Sequence, residues 1–195
     1  MNTVIHSDLN DNIFMIACEN IILREYRYED LDAIHALTMQ PEIIEFLPDW
    51  NVPKEQRRDW LVNYELVDNN RFLAAAAESG NVEQLRLRLG IILQATGEFI
   101  GWCCTGIKEE LPPPSREIMF AISSEHRNKG YTTQAVQGLV KYLFENTNVE
   151  ELNAIALPRN LSSNRVIQKS GFDFLTIMMI EGEAYNHYKL VKRKD

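Results

Sequence analysis

The sequence predicts an α/β domain organised around one mixed sheet, and three observations carry that prediction. Strand-like and helix-like periodicities alternate along the chain instead of segregating into separate blocks. The turn "QATGE" joins an alternating run to "FIGWCCTGI", which makes an antiparallel hairpin. Further on, "EIMFAIS", an apolar-striped helix and "LNAIAL" form a strand–helix–strand unit, whose two strands are expected to be parallel and right-handed in connection. The chain has 195 residues, 45% of them hydrophobic, which suits one well-packed domain over 1–195 and leaves little room for a second.

Taken in order, residues 1 to about 12 are polar and read as a loose leader. "IFMIACENIILREY" reads as one or two strands, with Glu19-Asn20 as the possible turn. In "YEDLDAIHALTMQ", Leu31, Ile34 and Leu37 recur at helical spacing, Asp30 and Asp32 favour the helix start, and Pro41 ends it. A second helix is expected from about Lys54 through Val67, with Trp60, Leu61 and Tyr64 on one face. Leu85, Leu87 and Leu89 alternate with Arg86 and Arg88 as in a half-buried strand that runs into "GIIL". The prolines of "EELPPPS" forbid regular structure and mark a surface loop.

The second half is more regular. In "EIMFAIS", Ile118, Phe120 and Ile122 share one face, and Glu117, Met119 and Ala121 share the other. The helix from about Thr132 carries Val136, Leu139, Val140, Leu143 and Phe144 on one stripe. "LSSNRVIQKS" is a helix stopped by Gly171, and "FDFLTIMMI" with "AYNHYKLVK" closes the chain as a hairpin around "EGE".

Charge and composition exclude several functions. A net charge of -8 argues against nucleic-acid binding through a broad basic surface. The three cysteines, Cys18 and the adjacent pair Cys103 and Cys104, have no metal-ligand spacing, so no metal is expected, and they read as small apolar residues of a reduced protein. No run approaches membrane-spanning length, so the expected location is cytoplasmic.

The chemistry concentrates in "HRNKGYT". The turn between strand and helix offers first-turn amides at the positive end of a helix dipole, the small residue Gly130, and the cations Arg127 and Lys129. It is neither GxGxxG nor GxxxxGK[ST], which disfavours dinucleotides and ATP. On these residues alone, a phosphate cradle and a plain connection both remain open.

"RNKGYT" resembles the R/Q-x-x-G-x-G/A motif of the GNAT N-acetyltransferases, with Arg127, Gly130 and Thr132 at its signature positions. Thr132 stands where that family usually has Gly or Ala. "PRNLSSNRVIQKSGF" is similar to the family's second motif, with Asn160, Ser163, Gly171 and Phe172 matching. "IILREYRYEDLDAIHAL", the Trp50 region and "ATGEFIGW" resemble the branch of ribosomal-protein N-terminal acetyltransferases, the RimJ/RimL-like enzymes. The resemblance implies a mixed, mostly antiparallel seven-stranded sheet flanked by helices, whose central parallel pair splays apart to admit acetyl-CoA. It implies that the amides from Asn128 through Lys129, Gly130 and Tyr131 to Thr132 hold the pyrophosphate, with Arg127 beside them. It implies also that the Ile122 region meets the pantetheine and supplies oxyanion donors, and that Asn160 orients the cofactor or its loop.

Acetyl transfer to an amine needs a base, a donor to the thioester oxygen and an acid for the departing sulfur. The resemblance points to Glu117 as the base, with an exposed strand carboxylate as the alternative reading, and His126 reads as a surface-loop residue. The Tyr that many relatives use as acid is replaced by Ile167, and Ser163 takes that place in the ribosomal-protein branch. The expectation is an acetyl-CoA-dependent N-acetyltransferase acting by direct attack of a primary amine, on a protein N-terminus or a small molecule. The alternative is an acyl-CoA-binding sensor or partner with weak catalysis. A homodimer is compatible with that branch.

Overall fold

The computed structural model describes residues 13–193, so the expected leader lies outside the described residues. In chain order the strands are β1 (Met15–Ala17), β2 (Ile21–Glu25), β3 (Leu87–Leu93), β4 (Phe99–Ile107), β5 (Arg116–Ile122), β6 (Glu151–Ala156), β7 (Asp173–Ile180) and β8 (Glu183–Val191). They form one sheet in the order β1-β2-β3-β4-β5-β6-β8-β7. All neighbours are antiparallel except β5 and β6. The described sheet has eight strands, one more than the expected seven. The first apolar run divides at a tight turn in which Cys18 N donates to Ile21 O, and its halves pair as β1 and β2.

Helices cover both faces. α1 (Leu31–Thr38), α2 (Pro41–Ile44) and α3 (Lys54–Trp60) lie on one side, and the long α5 (Tyr131–Asn146) lies on the other, followed in the chain by α6 (Leu161–Lys169); α4 (Leu66–Glu78) starts on the α1 side with Leu66 and carries Phe72, Leu73 and Ala76 into the core on the α5 side. The strand alternation decides which core each residue enters. Cys103 joins the larger core with Leu139, Leu143 and Ile118, while its neighbour Cys104 joins the smaller one with Trp102, Leu61 and Ile34. In β5, Phe120 and Ile122 pack on the α5 side and Met119 and Ala121 on the α1 side. All three cysteines are free thiols.

The second helix runs past its expected end. α3 and α4 join through a π-helical segment, Leu61–Glu65, into one helical stretch ending at Glu78. Its buried stripe is Arg57, Leu61, Glu65, Asn69 and Phe72, so Tyr64 is not on the buried face and is 59% exposed. That stripe is polar at three of five places, which apolar periodicity does not register. Arg57 is paired with Glu65. Asn69 donates to Arg88 O and accepts from Arg88 N, both at 2.8 Å. β2 pairs β3 only as far as Glu25↔Leu89, and the Asn69 amide occupies the main-chain edge at the next residue.

Among the described residues, no helix is long and apolar enough to cross a membrane, and no group of three or more His, Cys, Asp or Glu is placed to hold a metal ion.

Candidate active site

The site begins where β5 and β6 part. Their only paired residues are Glu117↔Asn153. Asn153 is fully buried and closes this point: its Nδ2 donates to Pro114 O (2.8 Å) and Arg116 O (3.1 Å). Its Oδ1 lies 2.8 Å from His187 Nε2. Since Oδ1 can only accept, Nε2 carries the proton, and burial with Lys189 nearby lowers the His187 pKa. Beyond Asn153 the strands form a fork. The facing edges of β5 up to Ile122 and of β6 up to Ala156 have no ladder partner among the described residues.

The loop after β5 is shaped by local chemistry. Ser124–His126 makes one 3₁₀ turn with Ser123 as its N-cap, then Asn128 (φ 61°) and Gly130 (φ 80°) adopt left-handed conformations on either side of Lys129. Such alternation turns successive amides toward one concavity, and Asn and Gly tolerate it best. α5 starts at Tyr131 with Gly130 as its N-cap and without a side-chain cap bond. Thr132 is 7% exposed and lies in the first helical turn. A Cβ on Gly130 would meet nothing within 4 Å, so this backbone faces open space. Gln40 braces the loop, with Nε2 donating to Ser123 Oγ (3.1 Å) and Oε1 accepting from Ser124 N (3.0 Å). Arg127 donates to Glu42 O at 3.2 Å.

Fork and loop open into one cleft of about 1010 Å³. Every predicted site residue except Lys129 lines it: Glu117, Ile122, Arg127, Asn128, Gly130, Tyr131, Thr132, Asn160 and Ser163. Lys129 is exposed and lies outside the lining. His126, read as a surface-loop residue, is buried beneath the loop, 3.5 Å from Glu98 Oε2. Glu117 is part-buried, and desolvation pushes its carboxyl up to about 7; Lys108 opposes the rise and Glu110 adds to it. This is not the behaviour of a freely exposed strand carboxylate.

On the opposite wall, Asn160 caps α6, its Oδ1 accepting from Ser163 N at 3.2 Å. The cap aligns the first turn that carries Ser163. Asn164 fixes the loop from within, donating to Leu157 O (2.9 Å) and Asn160 O (2.7 Å). It accepts in turn from Asn186 Nδ2 (2.9 Å) and Tyr188 Oη (2.7 Å). Ile167, at the position of the absent Tyr, is buried. Tyr185 enters the cleft from β8, its pKa raised first by desolvation and then by Glu183.

Sequence reasoning missed Asn153, Asn164 and Gln40. For Asn153 a signal existed, a lone amide inside the apolar strand "LNAIAL". For Gln40 sequence spacing carried none, because its partners are 83 and 84 residues away; Asn164 bonds locally to Leu157 and Asn160, and only the fold brings it to Asn186 and Tyr188.

The geometry suits coenzyme A. The concave amides and Arg127, Arg165 and Lys169 offer positive charge at one end, and the fork offers two main-chain edges to an extended, amide-bearing arm. The family described as acetyltransferase (GNAT) domain matches residues 20–173. The chain is 24% identical over 156 residues to the uncharacterized N-acetyltransferase YnaD of Bacillus subtilis, covering 80% of this chain and 81% of the relative. RimL, a ribosomal alpha-N-protein acetyltransferase solved with coenzyme A, superposes with a TM-score of 0.73 at 17% identity, over 91% of this chain and 98% of that one. The aminoglycoside acetyltransferase AAC(6')-Ib with coenzyme A gives 0.68 at 18% identity, over 88% and 94%. A family match across most of the chain, on a sheet forked between β5 and β6, means that this protein belongs to the GNAT acetyltransferases.

Proposed function

We propose that the protein is an N-acetyltransferase that transfers acetyl directly to a primary amine, with Glu117 as general base and Ser163 as general acid. The observation that carries this reading is the Glu117 carboxyl, raised to about 7 at the closed end of the fork. Acetyl-CoA supplies an acetyl group activated as a thioester. Glu117 takes the proton of the acceptor's ammonium, directly or through water, and a C–N bond forms as the C–S bond breaks. Main-chain N–H groups near Ile122 donate to the oxygen as it gathers charge. Ser163 gives its proton to the departing sulfur, in the helix turn aligned by Asn160. Arg127, the amides of Asn128 to Thr132, and Asn160's loop hold the phosphates.

Direct attack is supported by the state of the thiols. Cys103 and Cys104 are buried and Cys18 is raised to about 11 by desolvation, so none of them suits a covalent relay.

The test is thiol release across pH with an amine panel. kcat/KM should rise through about pH 7 in the parent. Glu117→Gln should lower turnover by about a hundredfold and remove that limb, and Ser163→Ala should lower kcat by about tenfold or more. Both should keep their coenzyme A affinity. Turnover unchanged in both variants removes these two residues from the mechanism. Tight acetyl-CoA binding without release on any amine favours the non-catalytic acyl-CoA binder instead.

A further inference from the structure

A second hollow of about 490 Å³ lies on the side of the sheet that carries α1 and α3. Trp50 is the wall it shares with the main cleft, held by a parallel stack on Trp102 with ring centroids 5.0 Å apart. A second connection runs through the sheet. Gly106 pairs with Glu117, and a Cβ on Gly106 would come within 3.1 Å of Arg86 Cγ. Paired residues project to the same face, so Arg86 lies over Gly106 on the face that carries Glu117. Arg86 lines the second hollow and is close enough to Glu117 to lower its pKa. An acceptor whose amine reaches Glu117 therefore has this hollow as the place for its body.

The chemistry of the hollow narrows what that body is. The floor is a chain of alternating charge: Arg57 pairs with Glu65, Glu65 lies 3.6 Å from Arg88, and Arg88 lies 3.1 Å from Asp68. Glu65 and Asp68 are matched by guanidiniums, Asp59 accepts from Asn63 Nδ2 (2.7 Å), and Arg57, Arg86 and Arg88 balance these three carboxylates, so the lining does not select a bare polycation. It does present planar donors and acceptors in alternation, which suits hydroxyl groups that both give and accept hydrogen bonds. Arg57 is 1% exposed, lines the hollow, and its Nε–H has no partner among the described residues. A buried donor of this kind calls for a ligand acceptor. Above the floor stand flat rings. Trp60 has Arg57 5.3 Å from its ring centroid, and the exposed Tyr64 projects from the π-helical segment that also places Glu65.

We propose that this hollow is the acceptor subsite and that it takes a hydroxylated ring, making an amino sugar the acceptor class. The proposal rests on the acetyltransfer reading above. The test compares kcat/KM for D-glucosamine and a glucosamine disaccharide with that for spermidine and an alanine-led tripeptide. The sugars should lead by about tenfold or more, and Trp60→Ala and Tyr64→Ala should each cut that lead by a comparable factor. Sugars no better than spermidine or the peptide, or variants that slow every acceptor equally, overturn it. Calorimetry of the disaccharide against coenzyme A-loaded protein gives a readout independent of turnover. Binding that Trp60→Ala weakens supports the subsite even where no amine is acetylated; no binding in the parent sinks it. Arg57→Gln breaks a buried ion pair, so coenzyme A affinity in that variant reports whether it has folded before its sugar binding is compared.

Discussion

Glu117 shows how one side chain couples stability to activity. Burial makes its ionisation less favourable in the folded chain, so the native state keeps the proton up to about pH 7, whereas the unfolded chain releases it near 4.5. The native state binds the extra proton between these values, and stability therefore falls as pH rises through that window. Glu117→Gln removes the loss. Its advantage over the parent should grow from about pH 4.5 to about pH 7 and level off above, reaching at most about 3 kcal/mol. Denaturant titrations of both proteins at about pH 5 and about pH 8 measure it, and an advantage equal at the two values contradicts the raised pKa. The identity and place of Glu117 were legible from the strand alternation. Its altered acidity was not, because the shift comes from burial by the surrounding fold, which strand alternation does not register, while Lys108, Glu110 and Arg86 act on it only through their charges. His126 was misplaced for the same kind of reason: a polar residue in a basic loop looks exposed until the fold covers it.

At the scale of elements, regular periodicity was readable and polar packing was not. α5 carries the predicted stripe, with Val136, Leu139, Val140 and Leu143 all buried. The α3–α4 stretch buries Arg57, Glu65 and Asn69 instead, and its π-segment interrupts regular α geometry beside Tyr64. Asn69 is the clearest case, because its amide serves both main-chain groups of Arg88 where β2 stops. Asn69→Ala leaves those groups buried and unmatched, at a cost of about 2–4 kcal/mol. Chemical denaturation should give a lower midpoint at unchanged slope; a loss under about 0.5 kcal/mol means that water replaces the amide. Asn160, given by the resemblance a place beside the cofactor or its loop, also caps α6 by accepting from Ser163 N.

For the molecule as a whole, the mixed, mostly antiparallel sheet and its parallel pair followed from the sequence, while the division of the first apolar run into two strands stayed open there and is settled by the Cys18–Ile21 turn. The cleft is lined from both halves of the chain, from Glu42 and Trp50 to Asn160 and Tyr185, and its loops are braced by Gln40 and Asn164. Coenzyme A should therefore tie these halves together and stabilise the global fold. At about a hundred times its Kd it should add about 2.7 kcal/mol, a rise in Tm of about 5–10 °C. A thermal scan without such a shift, in protein shown by calorimetry to bind, means that unfolding does not require the cleft to open. The Asn153 clasp has a consequence of its own. From the closed end at Glu117 to the open end at Ile122, β5 rises about 17 Å. Anything threaded between the strands meets a floor at that depth, built from one amide and the main chain it grips. The clasp is thus a ruler, and lengthening the inserted chain by a few carbons drives it against a stop that cannot yield without undoing the Pro114, Arg116 and His187 bonds together.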